Sequence, residues 1–116
     1  MAKTWKLQLR DADDKKLQFG LRLFYSLTDR ERKVLVLAHS YGGDNLFSLK
    51  NKRRIQREMA YKNVTGVTAV VNVIKQKGAI EFKQNPRRYE LSRTMQVYMQ
   101  ADKHVFEWEK VLLKNS

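Results

Sequence analysis

The sequence predicts an α+β protein in which three helices and a β-hairpin form the core, with a further hairpin before that core and a further helix after it. Three observations carry the prediction. Thr28-Asp29-Arg30-Glu31 is a capping box at the head of an apolar run. Val67, Val70, Val71 and Ile74 recur at helical spacing, so at about 100° per residue they form one stripe. Ile80 and Phe82, then Tyr89 and Leu91, alternate with polar residues on either side of Gln84-Asn85-Pro86-Arg87-Arg88. The 116 residues suit one domain, 1–116, with the first hairpin over 4–24, the core over 27–93 and the last helix over 94–115.

Composition narrows the functional classes. No run approaches the roughly 18 apolar residues of a membrane span, and the first residues lack the apolar core of a secretion signal, so a cytoplasmic, nucleoid-associated protein is expected. The absence of cysteine excludes disulfides, thiolate zinc sites and a Cys nucleophile. His39 and His104 fall in different segments without metal-ligand spacing, so no metal and no cofactor is expected. Acidic residues are scattered, and there is no Gly-rich phosphate loop or nucleophile–base pair; an enzyme is not expected. Of the net charge of +12, residues 48–93 supply nine, from twelve Lys/Arg against three Asp/Glu. Such a balance points to a polyanion, because cations that neutralise phosphates release counterions and so drive binding. The basic residues are spread over helix, turn and hairpin rather than along one broad amphipathic helix, which argues against a membrane surface.

Taken in order, Trp5, Leu7 and Leu9 alternate with Lys6, Gln8 and Arg10, and Leu17, Phe19, Leu21 and Leu23 resume the alternation after Asp11-Ala12-Asp13-Asp14. Period two with an acidic break between is the pattern of a hairpin. Gly20 marks a bulge or a close contact within it. The capping box at Thr28 starts a helix through Val34, Leu35, Val36, Leu37 and Ala38, which is apolar on nearly every side and belongs in the middle of the core. It stops near Gly42-Gly43, with His39 as a helix-end residue beside the negative dipole terminus. A second helix follows with Ser48 or Asn51 as its cap and Ile55 and Met59 as a narrow apolar seam. Lys50, Lys52, Arg53, Arg54 and Arg57 surround that seam against one acid, Glu58, where a solvated face would interleave the signs.

The Val-rich helix comes next, after the break Ala60-Tyr61-Lys62-Asn63. Opposite its apolar stripe project Thr65, Thr68, Ala69, Asn72 and Gln76. An apolar back with a small, hydrogen-bonding front suits a DNA major groove, where Asn or Gln reads adenine and Thr or Ala touches a thymine methyl. An ordinary solvated face has the same pattern, and the cations on either side tip the balance toward DNA. Lys77-Gly78 ends the helix, and Arg87 and Arg88 lie at or near the tip of the hairpin, placed to reach phosphates or a narrow minor groove.

From Leu27 to Arg93 the chain resembles the winged helix-turn-helix DNA-binding domain. The opening Leu-Thr-Asp-Arg-Glu-Arg-Lys-Val-Leu is similar to that of MarR-type and LuxR-type regulators. Ile74-Lys75-Gln76-Lys77-Gly78-Ala79-Ile80 looks like the family's junction between recognition helix and wing. Two features depart from the pattern. Tyr61-Lys62-Asn63-Val64-Thr65 replaces the usual turn, and Gly66 stands where a helix former is expected, at a cost of about 1 kcal/mol, so the third helix starts at Val64 or only at Val67. The resemblance implies duplex DNA binding, with the third helix in the major groove and the wing on the backbone or minor groove. Thr65, Thr68, Ala69, Asn72 and Gln76 are then the base-contacting candidates. Lys50, Lys52, Arg53, Arg54, Arg57, Lys62, Lys75, Arg87 and Arg88 are the candidates for phosphate or minor groove.

After Ser92 or Thr94 as cap, Met95 to Leu113 reads as one long helix with two apolar groups. Met95, Met99, Phe106 and Leu113 form one, and Ala101, Val105, Trp108 and Leu112 the other. That is wider than the stripe a single core needs. The second group is covered either by the N-terminal hairpin or by a homodimer contact through Val105, Trp108 and Leu112; the hairpin itself either extends the core sheet or clasps a second subunit. The leading expectation is a transcriptional regulator that binds double-stranded DNA. A plasmid or phage replication or packaging factor on the same DNA-binding frame is the alternative, and RNA binding is weaker because the basic block has few aromatic platforms beyond Tyr61 and Tyr89.

Overall fold

The structure, a computed structural model, describes residues 11–101, which form a small α+β protein of five helices and one two-stranded antiparallel hairpin. In chain order these are α1 (Asp11–Phe24), α2 (Asp29–Tyr41), α3 (Leu49–Glu58), α4 (Val64–Gln76), β1 (Ile80–Lys83), β2 (Arg88–Leu91) and α5 (Arg93–Gln100).

The first element corrects the sequence reading. Where the second strand of a hairpin over 4–24 is expected, Asp11–Phe24 is a helix; residues 4–10 of that hairpin lie outside the described residues. Leu17-x-Phe19-x-Leu21-x-Leu23 alternates, but its members are also four apart in pairs, and helical packing wins. Leu17 and Leu21 share one face and are fully buried, whereas Leu23 is 43% exposed. The acidic Asp11-Ala12-Asp13-Asp14 opens this helix, where negative charge complements the dipole. Gly20 is a close contact rather than a bulge: a Cβ there would stand 2.5 Å from Cε2 of Tyr98 on α5. The segment expected as the second strand of a hairpin clasping a second subunit is thus part of α1.

Of the helix expected over 94–115, the described residues form α5 as far as Gln100, and 102–115 lie outside them. This helix is capped by Ser92, whose side chain accepts from the Met95 N–H, and it stops at Gln100, with Ala101 in extended conformation. Lys16 of α1 explains the stop, because its Nζ donates to the carbonyls of Ala101 at 2.6 Å and Met99 at 3.3 Å, satisfying groups that a continuing helix would bond itself. Val105, Trp108 and Leu112, the expected dimer contacts, lie outside the described residues.

The helix at the centre is α2. Both halves of its capping box are made, Thr28 accepting from the Glu31 N–H and Glu31 returning to the Thr28 N–H at 2.9 Å. Val34, Leu35, Val36 and Ala38 are buried, and α1, α3 and α4 all pack on it. Into the same core come Ile55 from α3, Val67, Val71 and Ile74 from α4, and Met95 from α5. Each such aliphatic side chain contributes about 1.5–3 kcal/mol on burial. The connection from α3 to α4 is tight, with Ala60 at φ 56°, and Asn63 caps α4 by accepting from the Gly66 N–H. So α4 starts at Val64. Gly66 is tolerated in its first turn because the Tyr61 ring lies against it, 3.2 Å from where a Cβ would stand.

The hairpin pairs Ile80 with Leu91, Glu81 with Glu90, Phe82 with Tyr89 and Lys83 with Arg88. It is fastened to the helices at its base. Ser92 N–H donates to Ala79 carbonyl at 2.9 Å, Leu46 N–H donates to Tyr89 carbonyl at 3.0 Å, and Tyr89 N–H donates to Asn45 Oδ1 at 2.8 Å. Phe47 packs edge-on to Tyr89, so the loop before α3 and the returning strand move as one.

Candidate nucleic-acid interface

The front of α4 is as the sequence pattern arranges it. Thr65, Ala69, Asn72 and Gln76 are exposed and Thr68 is half-buried, while Val67, Val71 and Ile74 on the back are buried. A neutral, hydrogen-bonding strip therefore stands on a helix whose other side is locked into the core, which fixes its direction.

Cations border this strip from two elements. From α3, Lys52 Nζ donates to Thr68 Oγ1 at 3.2 Å, so a positive charge is held against the middle of α4. From α4 itself, exposed Lys75 lies over the Phe82 ring of β1, 5.6 Å from its centroid, which ties it to the hairpin side. Lys62, exposed, stands just before the Asn63 cap. Arg87 is exposed in the hairpin turn, which contains a cis Asn85–Pro86 bond.

Arg88 is engaged instead. Its Nε donates to Glu90 Oε2 at 2.7 Å and its Nη1 to the Pro86 carbonyl at 2.9 Å. The Arg88 guanidinium so bonded holds the Glu90 carboxyl below its ordinary pKa, against the opposing effect of desolvation. On the polar side of the hairpin the register sets Glu81 across from Glu90 and Lys83 across from Arg88, so that side carries both signs. Lys83, exposed at the end of β1, is a cation that the sequence reading left out, although its place one residue before the turn is visible in the pattern.

The α3 cations divide. Lys50, Arg53, Arg54 and Arg57 are exposed and line one open depression together with Leu49, whereas Lys52 points to α4. At about 100° per residue the four span about 100° of arc centred some 150° from Lys52. Arg54 stacks on Tyr41 of α2, its Cζ 4.0 Å from the ring centroid. Burial, with the Glu58 carboxylate, pushes the Tyr41 phenol up in spite of Arg54 and Arg57.

The remaining partner of the α3 helix was not anticipated. Asn51 is buried, and its Nδ2 reaches the carbonyls of Leu46 at 3.0 Å, Gly42 at 3.2 Å and Asn45 at 3.4 Å. It tethers the Gly42–Phe47 loop, hence indirectly the hairpin. Ser48, the other expected cap, is the one that accepts from the Asn51 N–H.

Among the described residues, no group of three or more His, Asp or Glu could hold a metal ion, and no helix is long and apolar enough to cross a membrane. No protein-family model, curated protein or solved structure matches the chain.

Proposed function

We propose that this chain is a double-stranded DNA-binding protein of the transcription-regulator kind, related in architecture to the winged helix-turn-helix domain. The observation that carries the reading is the front of α4, a neutral strip of Thr65, Ala69, Asn72 and Gln76 on a helix with a buried back, bordered by Lys52 and Lys75. The order α2, α3, α4 and hairpin agrees with the winged-helix resemblance. A helix fits the major groove in width, and Asn72 and Gln76 are the side chains with paired donor and acceptor groups for an adenine edge. Lys52, Lys62, Lys75 and Arg87 take backbone phosphates of the same duplex, and the hairpin turn lies along the backbone or minor groove. No catalytic step and no cofactor belongs to this reading.

The test is binding to duplex DNA, single-stranded DNA and duplex RNA of one sequence at matched salt. Four phosphate contacts predict a slope of about −3.6 in log affinity against log salt for duplex DNA, with weaker binding to the other two. A-form RNA has a major groove too deep and narrow for a helix. Equal binding to all three would overturn the groove-reading role.

A further inference from the structure

We infer that the outer stripe of α3 is a second phosphate-binding ridge, which takes the backbone of a second DNA duplex while α4 holds the first. The inference rests on the reading of α4 as the duplex-binding face.

Lys50, Arg53, Arg54 and Arg57 are exposed and line one open depression to which neither α4 nor the hairpin contributes a residue. None of the five lining residues is acidic. The cation of α3 that serves the α4 side is Lys52, held there by Thr68, and the stripe is centred some 150° around the helix from it. Its other flank leans on α2, through Arg54 over Tyr41. That stacking orders one guanidinium in advance, so less side-chain freedom is lost when a phosphate binds. From Lys50 to Arg57 the ridge rises about 10 Å at 1.5 Å per residue. That is the reach of about two or three successive phosphates of one strand for side chains as long as Lys and Arg. An open, cationic surface without a polar reading strip can grip a backbone and carries no means of choosing a sequence. The complementary partner is thus a phosphodiester backbone, and the duplex on α4 leaves this one for another segment.

The test uses the full chain, a duplex immobilised on beads and a second, fluorescent duplex. Affinity for a single duplex is read separately by anisotropy. The variant Lys50→Gln/Arg53→Gln/Arg57→Gln alters only exposed side chains, and an unchanged thermal melt checks the fold. It should reduce capture of the fluorescent duplex at least tenfold and flatten the salt slope of that capture by about 3, while single-duplex affinity changes less than about threefold. Arg22→Gln/Lys33→Gln removes charge from exposed sites elsewhere and should leave capture intact. Capture that survives in the triple variant would mean bridging by two α4 faces of a dimer and overturns the ridge. So does a proportional loss of single-duplex affinity, which would merge the stripe with the first site, and so does a wild-type protein that binds one duplex but never a second. A wild type that binds no duplex overturns the reading of α4 itself, and this inference with it.

Discussion

Lys52 on α3 donates to the hydroxyl of Thr68 on α4 at 3.2 Å, which places an ammonium and a hydroxyl side by side at the edge of the neutral strip on α4. With one lone pair accepting from Lys52, the Thr68 hydroxyl keeps its proton and a second lone pair, and on the proposed reading the Lys52 ammonium beside it meets a backbone phosphate. Lys52→Gln is expected to weaken binding to every duplex and to flatten the salt slope by about 0.9, while the ratio between a preferred and a scrambled site stays within about twofold. A change in that ratio, measured by competition at fixed salt, would assign Lys52 to base reading rather than to the backbone.

Lys77 and Glu31 join the end of α4 to the start of α2, 2.7 Å apart, with the Glu31 side chain only 12% exposed. Burial works to raise the Glu31 pKa, but hydrogen bonds from Lys77 and Thr28 outweigh it, and the net shift is below the ordinary 4.5. A carboxyl whose pKa is lowered on folding stabilises the fold above its unfolded pKa and loses that contribution as pH falls through the folded value. Glu31→Gln should thus lower the melting temperature at pH 7, and the gap from wild type should close below pH 4.5. A gap of constant size from pH 7 to about 3 would show that the charge contributes nothing.

Tyr61 hydroxyl is buried without a hydrogen-bond partner among the described residues, and the Tyr61 ring lies over Gly66. An unpartnered buried hydroxyl costs about 1–3 kcal/mol of desolvation, so Tyr61→Phe should leave stability unchanged or raise it by about 1 kcal/mol. Gly66→Ala should realise the full helix gain of about 1 kcal/mol only when Tyr61 is also replaced by Ala. Denaturant unfolding of the two single variants and the double variant measures this; an equal gain in both backgrounds would mean that the ring gives way freely.

Asn51 tethers three loop carbonyls from inside the core. Replacing it by Leu keeps the branched shape and the number of heavy atoms and leaves those carbonyls without their donor, at an expected cost of about 1–3 kcal/mol. Urea unfolding reads that loss directly, and a change below about 0.5 kcal/mol would assign the loop's order to other contacts.

The parts of the fold visible in the chain are those fixed by local chemistry. Thr28 and Glu31 cap α2 as their spacing requires, the Val67/Val71/Ile74 stripe is the back of α4, and Ile80, Phe82, Tyr89 and Leu91 alternate as strands do. Where tertiary contact decides, the pattern is ambiguous. The alternation from Leu17 to Leu23 serves a strand or a helix equally, and only the seating of Tyr98 against Gly20 and of Lys16 on the α5 terminus selects the helix. No glycine or proline signals the stop at Ala101, because the capping cation comes from some 85 residues upstream. Among the candidate site residues, the exposed polar strip of α4 was legible since it is the complement of an apolar stripe. The division of α3 between Lys52 and the outer four was not, because all five look alike until Thr68 takes one of them. The bond from Arg88 to the carboxylate of Glu90, two residues on in the same strand, was not anticipated either.

The central claim is that the α4 front reads base edges, and the most direct measurement is the effect of Asn72→Ala on site discrimination. After selection of a preferred duplex from random sequence, wild type and variant are titrated on that duplex and on a scrambled one at the same salt. Loss of a bidentate base contact predicts a preference reduced by about 1–3 kcal/mol, roughly 5- to 150-fold, with scrambled-site affinity changed less than about threefold. An equal loss on both duplexes, or no loss on either, would contradict the account.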